Sequence, residues 1–131
     1  MYFFKIINRD APSWKVYENE KVYAFLDIIP VRRYHTLVIP KKHYENIFDI
    51  ADEDLKAVIS VVGKLAKLYQ KKLGINHVQV VNSNGKEAQQ DVFHIHYHII
   101  PRKLGDGQSI RWKTFTEWRP EFDGMLEKLR D

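Results

Sequence analysis

The sequence predicts an α+β domain with a mainly antiparallel sheet of five strands, one long helix and one short helix. Two observations lead to this fold class. Short runs of strand-forming residues flank a single stretch with helical periodicity, and 131 residues, 44% of them hydrophobic, are enough for one core. We therefore expect one domain over residues 1–131, with a C-terminal tail at 103–131 whose packing the sequence leaves open.

The first part of the chain indicates three strands. In "WKVYENEKVYAFL" strand-forming residues surround a polar tetrapeptide at 18–21, which predicts a hairpin of two antiparallel strands. "HTLVIP" is a β-branched run closed by Pro40 and predicts a third strand. The stretch that follows it, "KKHYENIFDI", predicts the short helix.

The long helix is predicted between Asp52 and Leu73. Acidic residues stand at its start and Gly74 follows its end, where glycine commonly stops a helix. Apolar residues recur within it at three- and four-residue spacing and predict its buried face: Leu55, Val58, Ile59, Val62, Leu65, Ala66 and Tyr69.

The second part of the chain predicts two more strands, in "HVQVVNSN" and "VFHIHYHIIP", joined by a polar loop around Gly85. The order of hairpin, strand, helix and strand pair indicates a sheet with the helix packed on one face. The tail is aromatic, and "EFDGMLEKLRD" predicts a terminal helix.

Three histidines stand at every second position of the last predicted strand. Side chains two residues apart on a strand point to the same face, so His94, His96 and His98 are expected side by side. The alternate residues then face the helix-covered core: Phe93, Ile95, Tyr97 and Ile99. The histidine face is therefore the candidate working face.

Three uses of that face compete. It is a plain polar surface, a metal site, or a nucleophilic centre in which one imidazole attacks while its neighbours, kept neutral by mutual repulsion, bind the substrate. A closed metal site needs third and fourth ligands beyond a His-x-His pair. The residues of the strand alone leave these uses open.

Composition excludes several other classes of function. The chain has no cysteine, which removes thiolate nucleophiles and disulfides, and its formal charge of +4 mildly favours anionic ligands. The basic pairs are scattered rather than gathered in a stripe, so we expect no nucleic-acid partner. The apolar start, "MYFFKIINRD", is too short for a signal peptide, and we expect a soluble, cytoplasmic protein with no membrane partner.

Three separated segments carry a resemblance to a known family. "QVVNSNGKEAQQDVFHIHYHIIPR" resembles the signature of the histidine-triad (HIT) family, in which three histidines alternate with apolar residues after an Asn-rich loop and a glutamine. "FFKIINRDAPSWKVYENEKVYAFLDIIP" is similar to the family's N-terminal segment, and "HTLVIPKKHYENIFD" to its central segment. The resemblance extends from about residue 2 to Arg102.

The resemblance implies a nucleotide-binding hydrolase or transferase of the histidine-triad nucleotide-binding branch. Such an enzyme attacks the α-phosphorus of a nucleoside 5′-phosphoryl compound and passes through a nucleotidyl-histidine intermediate, without a required cofactor. By position in the motif, His96 is the nucleophile and His98 holds the phosphoryl oxygens and assists the leaving group. His94 and His35 orient the cluster through hydrogen bonds.

The resemblance also implies the residues that bind a purine nucleotide such as AMP. Asn82 and Gln90 match amides near the phosphate, and Asp27 matches the residue that accepts hydrogen bonds from the ribose hydroxyls. Matches to the apolar walls of the purine pocket are Tyr2, Phe3, Ile6, Phe25, Leu26 and Ile28. Leu26 and Ile6 suit an ordinary core equally well, and Asn84-Gly85 is read as a turn.

Three departures from the family pattern limit what carries over. Many members bind zinc through two N-terminal cysteines and two histidines. Met1 and Phe4 occupy the cysteine positions, so we expect no structural zinc and place His43 at the surface or behind the site. Tyr34 and Gln89 stand where glycine is usual.

Several questions stay open in the sequence. The family is typically homodimeric, and Trp112 and Trp118 are candidates either to shape the site or merely to anchor the tail. The substrate is a phosphoramidate, an adenylate or a dinucleoside polyphosphate. The alternatives to an enzyme are a non-catalytic purine-nucleotide-binding interaction protein and a histidine-rich metal carrier.

Overall fold

The computed structural model describes residues 2–8 and 11–130, with residues 2 and 4 described by their backbone alone. Five strands and three helices make up the fold, with short 3-10 helices at Lys86–Ala88 and Thr116–Glu121. In chain order they are α1 (Tyr2–Ile7), β1 (Lys15–Glu18), β2 (Val22–Leu26), β3 (Thr36–Pro40), α2 (Asp52–Leu73), β4 (Val78–Val81), β5 (Tyr97–Pro101) and α3 (Phe122–Leu129).

The five strands form one antiparallel sheet in the order β1-β2-β3-β5-β4. The predicted hairpin is β1 and β2, and Asn19 closes its turn by accepting the backbone N–H groups of Lys21 and Val22 at 2.9 and 2.8 Å. In the centre of the sheet Leu37 pairs with His98. The α+β fold class is confirmed.

The helix α2 covers one face of the sheet, as predicted. Its buried residues are Val58, Val61, Val62, Leu65 and Tyr69, and they pack on sheet residues that include Ile95, Tyr97 and Ile99. The prediction was wrong for Ile59, which is 45% exposed, and it missed Val61. The helix ends at Gly74, whose φ of 68° is the left-handed conformation that glycine adopts without a steric penalty.

The opposite face of the sheet carries a second apolar cluster, built on the first helix. Phe3 and Ile6 of α1 pack against four strand residues, which are Tyr23, Phe25, Leu37 and Ile39. The sequence analysis did not predict α1. The histidines lie on this face, because Leu37 and His98 are cross-strand partners.

The short helix predicted at residues 41–50 was wrong, since this segment is a series of turns. Two side chains compete with helix formation by bonding to nearby backbone. Asp49 accepts the N–H groups of Glu45 and Asn46 at 3.1 and 2.9 Å, and Asn46 accepts that of Phe48 at 2.9 Å.

The histidine segment differs from prediction in two details. The strand β5 begins only at Tyr97, so His94 and His96 precede the regular ladder. The alternation holds for Ile95, Tyr97 and Ile99, which are buried, but Phe93 is 41% exposed rather than part of the core.

The tail beyond β5 contains the predicted terminal helix, α3, preceded by a 3-10 helix. All its residues from 107 to 130 are exposed. Within the described part of the chain, every helix is too short or too polar to span a bilayer.

Candidate active site

A cavity of about 430 Å³ opens on the histidine face of the sheet. It lies between the start of α1, the loop that joins β2 to β3, and the segment that leads into β5. Its lining combines apolar walls with imidazole and carboxylate groups: Phe3, Phe25, Asp27, Ile28, Ile29, Val31, His35, Leu37, Asp91, Val92, His96 and His98.

His96 presents a bare ring nitrogen to this cavity. Its Nδ1 lies 2.8 Å from the carbonyl oxygen of His94, and only a protonated Nδ1 donates to a carbonyl. A neutral imidazole then carries its lone pair on Nε2. The edge of Phe3 packs against the ring with a centroid separation of 5.3 Å, which fixes its orientation. The side chain is 7% exposed, so the imidazole is largely shielded from water.

The tautomers of His35 and His98 are set by one backbone group. The N–H of Val31 donates to Nδ1 of His35 at 3.1 Å, so the proton of neutral His35 is on Nε2. That Nε2–H donates to Nδ1 of His98 at 2.8 Å. The proton of neutral His98 is therefore on Nε2. The chain of bonds leaves His98 as a hydrogen-bond donor beside the lone pair of His96, with ring centroids 5.0 Å apart.

Their surroundings hold both His35 and His98 neutral. Burial and, to a smaller extent, the neighbouring His96 and His35 lower the pKa of His98 to about 4, against the opposing carboxylates of Asp27 and Asp91. Burial also lowers the pKa of His35, and Asp27 opposes that shift. At neutral pH His35 and His98 are therefore uncharged.

His94 lies behind the cavity and holds the segment in place. It is fully buried, its Nε2–H donates to the carbonyl of Pro40 at 2.8 Å, and its Nδ1 lies 3.1 Å from Nδ1 of His43. With its own proton on Nε2, His94 accepts the Nδ1–H of His43. Burial lowers the pKa of His94 to about 4, and the neighbouring His43 and His96 add to the shift. His94 fixes the position of the segment that carries His96 into β5.

Asp27 and the apolar walls share the side of the cavity formed by β2. The Oδ1 of Asp27 accepts the N–H of Ile29 at 2.9 Å, and Oδ2 lies 3.5 Å from Nε2 of His35. Phe25 and Ile28 line the same cavity, and so does Phe3 from α1. An acceptor beside apolar walls suits a ligand with hydroxyl groups attached to a flat ring.

Two of the apolar residues assigned by the motif, Ile6 and Leu26, lie outside the lining of this cavity. Ile6 is 1% exposed within the apolar cluster under α1. Leu26 points into a neighbouring hollow that also contains Trp14. The side chain of Tyr2 lies outside what the structure describes.

The two amides assigned by the motif organise the backbone around the cavity. Asn82 donates to the carbonyl of His96 at 3.0 Å. Gln90 is 4% exposed and accepts the N–H of Gly85 at 2.8 Å. Its Nε2 donates to the carbonyls of Glu45 and Val92 at 2.7 and 3.0 Å. Both side chains hold the loop that precedes the histidines.

Val31 is a functional residue that the sequence analysis missed. It contributes through its backbone N–H, so the identity of its side chain does not indicate this role in the sequence. Ile29, Leu37 and Val92 were also missed as lining residues. Alternation along β3 places Leu37 on the face of His98 only once the strand pairing is known.

The two positions where glycine is usual in the family have left-handed backbone. Tyr34 has a φ of 65° and Gln89 a φ of 70°. Residues with a Cβ pay about 1–2 kcal/mol for this conformation. Each residue stands directly before a key group, Tyr34 before His35 and Gln89 before Gln90.

The donor groups present do not fit the structural zinc that the family resemblance implies. Two imidazoles, His43 and His94, lie together and share a hydrogen bond, and the sequence has no cysteine to complete a tetrahedral set. Asp27, His35 and His98 also bring three ligand atoms within 4.8 Å of one another. Coordination through Nε2 of His35 would require its proton on Nδ1, facing the N–H of Val31.

Comparison with known proteins agrees with the geometry. The HIT domain model matches residues 8–105. An uncharacterised HIT-like protein of Methanocaldococcus jannaschii is 48% identical over 110 residues, which cover 84% of each chain. An adenosine 5′-monophosphoramidase of Candida albicans is 36% identical over 136 residues, covering 98% of this chain and 88% of its own.

A solved structure extends the agreement to the whole fold. The crystal structure of a HIT-family protein from Bacillus subtilis superposes with a TM-score of 0.88 at 42% identity, covering 97% of this chain and 92% of that one. Sequence, fold and the arrangement of His94, His96 and His98 lead to one conclusion: the chain belongs to the histidine-triad family.

Proposed function

We propose that the protein is a nucleotide hydrolase or nucleotidyltransferase that cleaves nucleoside 5′-phosphoryl compounds at the α-phosphorus, with His96 as nucleophile. The observation that carries the proposal is the bond from Nδ1 of His96 to the carbonyl of His94, because it leaves a lone pair on Nε2 beside the cavity. The similarity to an adenosine 5′-monophosphoramidase supports the same class of substrate.

The first step joins the nucleotide to the protein. Nε2 of His96 forms a bond to the α-phosphorus, and the bond from phosphorus to the leaving group breaks with its electron pair. A phosphoramidate nitrogen takes one proton from solvent before it departs and leaves as a neutral amine, and the second step returns one proton to solvent. The leaving phosphate of a dinucleoside polyphosphate departs as an anion. His98 donates its Nε2–H to a phosphoryl oxygen and stabilises the charge there.

The second step frees the nucleotide. Water attacks the phosphorus, the bond to Nε2 of His96 breaks, and the electron pair returns to the ring as one proton leaves for solvent. The products are a nucleoside monophosphate and the regenerated neutral imidazole. An acceptor alcohol or amine in place of water makes the same step a transfer.

Nucleotide binding uses the β2 side of the cavity. Asp27 accepts from the ribose hydroxyls, and Phe3, Phe25 and Ile28 enclose the purine. The volume of about 430 Å³ is that of a typical small-molecule site. Asn82 and Gln90 support the site through the backbone contacts described above.

We further propose that the reaction requires no metal or other cofactor. The lone pair on His96 needs no Lewis acid to activate it, and a row of hydrogen-bond donors supplies the charge stabilisation. Activity is then unaffected by EDTA.

The experiment is the release of AMP from adenosine 5′-phosphoramidate and from diadenosine tetraphosphate, with EDTA present. We expect turnover of at least one compound and a loss of at least about a hundredfold in His96→Ala, because the nucleophile is removed. His77→Ala, at an exposed histidine outside the cavity, is the control. If AMP binds but neither compound is cleaved, the protein is a nucleotide-binding interaction protein instead.

We also propose that the protein works as a homodimer. The tail exposes large apolar side chains, among them Trp112 at 84% and Leu129 at 80%, and the edge strand β4 exposes Val80 at 47%. A second copy of the chain covers both surfaces at once. In sedimentation equilibrium the wild type has twice the mass of one chain, and Trp112→Glu lowers it. Phe48→Glu, at an equally exposed aromatic residue outside the tail, leaves the dimer intact.

A further inference from the structure

Val31 is held through both of its backbone polar groups, which lie in two successive peptide units. Its N–H donates to Nδ1 of His35 at 3.1 Å, and its carbonyl oxygen accepts Nε2–H of Gln108 at 3.2 Å. Gln108 lies 77 residues further along the chain, in the turn that follows β5. Val31, whose N–H sets the tautomer of His35, is therefore positioned by a residue outside its own loop.

The turn at residues 102–108 is built to be rigid. At its centre is Asp106, whose side chain is 2% exposed. Its carboxylate accepts Nε and Nη2 of Arg102 at 2.8 and 3.0 Å, and also the N–H groups of Lys103 and Gln108 at 3.0 and 2.9 Å. These bonds hold the pKa of Asp106 well below its usual range. Arg102 also donates to the carbonyl of Gln108. These bonds fix the backbone of Gln108, and so fix the point from which its side chain reaches Val31.

A second tether joins the same turn to the β2–β3 loop. The Nε of Arg32 lies 3.4 Å from Oδ2 of Asp106 and donates to the carbonyl of Pro101 at 3.2 Å. Pro101 is the last residue of β5, the strand that carries His98. The loop that presents His35 is therefore fixed relative to the strand that presents its partner.

We propose that Gln108 and Arg32 are positioning residues for the histidine cluster. They hold the backbone of Val31, Gln108 through its carbonyl and Arg32 as the next residue in the chain, so that the N–H of Val31 keeps His35 protonated on Nε2. His35 then donates to His98, and His98 turns its own Nε2–H toward the substrate. The consequence for catalysis rests on the proposed function. The consequence for the tautomers does not.

The most selective variant is Gln108→Glu. It keeps the size of the side chain but replaces the donor to the Val31 carbonyl by an acceptor, which pushes the loop away. We expect kcat for AMP release to fall about tenfold with KM changed less than about twofold, because displacement of a catalytic group affects the reaction more than binding. Arg32→Gln gives a similar loss. Arg32→Lys retains the charge facing Asp106 and recovers part of it.

The direct readout is the protonation of the ring nitrogens, measured by imidazole ¹H–¹⁵N NMR on the ligand-free protein. We expect wild-type His35 and His98 to carry their protons on Nε2, and Gln108→Glu to contain a mixture of tautomers. The matched control is Gln70→Glu, which removes a glutamine donor to Asn76 at 3.0 Å on the surface. It leaves both tautomers and kcat unchanged.

Two results overturn the proposal. One is a Gln108→Glu protein that keeps the wild-type tautomers, and the other is a kcat loss no larger than that of Gln70→Glu. If Gln108→Glu does not fold, Arg32→Gln and Arg32→Lys decide by the same measurements. If the wild type cleaves no nucleotide, the proposed function fails, and the NMR comparison still decides whether Gln108 and Arg32 set the tautomers.

Discussion

Nε2 of His35 lies 2.8 Å from Nδ1 of His98, and the N–H of Val31 determines which of the two nitrogens holds the proton. His98 receives a hydrogen bond from within the protein and is left with one donor for the substrate. A strand surface that is only polar does not require defined tautomers for its histidines. The arrangement matches a site that binds the oxygens of a phosphoryl group.

Removal of the His35 donor tests this relationship. In His35→Ala, Nδ1 of His98 loses its donor and the proton on His98 is no longer directed to Nε2. One hydrogen bond of this kind contributes about 0.5–1.5 kcal/mol, so we expect kcat for AMP release to fall up to about tenfold. Steady-state kinetics measure it, with His77→Ala as the control. An unchanged kcat would show that His98 does not depend on His35.

The buried His94 makes stability depend on pH. Its pKa is about 4 in the folded protein and 6.5 in the unfolded chain. Between these values the unfolded chain binds the additional proton, so the free energy of unfolding falls as the pH is lowered from 6.5 to 4. His98, with a similarly lowered pKa of about 4, acts in the same direction.

Urea unfolding at intervals between pH 7 and pH 4 measures this dependence. We expect the urea midpoint of the wild type to decrease steadily over that range. In His94→Gln one of the groups with a lowered pKa is absent, and the decrease is smaller. Equal slopes for the two proteins would mean that His94 is protonated as readily in the folded state as in the unfolded chain.

Asp91 affects the choice of leaving group. Its carboxylate lines the cavity with His96 and His98 and favours positive charge near His98. A protonated phosphoramidate nitrogen gains from this charge, while the extra phosphates of a dinucleoside polyphosphate are repelled. In Asp91→Asn we expect the ratio of kcat/KM for adenosine 5′-phosphoramidate over diadenosine tetraphosphate to fall several-fold. Asp123→Asn, in the exposed tail, keeps the wild-type ratio. A ratio that rises in Asp91→Asn is incompatible with this role.

We expect replacement of Gln89 by glycine to increase the free energy of unfolding. Its φ of 70° is costly for a residue with a Cβ, by about 1–2 kcal/mol, and glycine loses part of that gain through its more flexible unfolded state. We therefore expect Gln89→Gly to raise the free energy of unfolding by about 0.5–1 kcal/mol in urea titrations. Ala88→Gly in the same 3-10 helix lowers it. A loss of stability in Gln89→Gly would mean that the glutamine side chain compensates for its backbone.

The sequence predicted the elements whose patterns arise from local chemistry. Helical spacing and Gly74 defined α2 correctly, and alternation placed Ile95, Tyr97 and Ile99 in the core. Residues 41–50 were wrongly predicted as a helix. The side-chain bonds of Asn46 and Asp49 that compete with a helix form only within the folded turns, so the sequence does not show them.

The sequence could predict the site residues that act through their side chains, but not those that act through their backbone. His35, His96 and His98 meet in the cavity, since motif spacing reflects strand pairing. The backbone contacts of Val31 with His35 and Gln108 have no sequence signature, because any residue except proline supplies the same N–H and carbonyl at position 31. Ile6 was assigned to the pocket because apolar walls and apolar cores have the same composition.

The central claim is that His96 forms a bond to the nucleotide, and the mass of the intact protein tests it most directly. Protein mixed with adenosine 5′-phosphoramidate and quenched within one turnover in alkaline denaturant is analysed by mass spectrometry. We expect a species heavier by one adenylyl group, which is located on His96 by fragmentation and is absent in His96→Ala. An adduct on another residue, or AMP release at the wild-type rate by His96→Ala, would contradict the account.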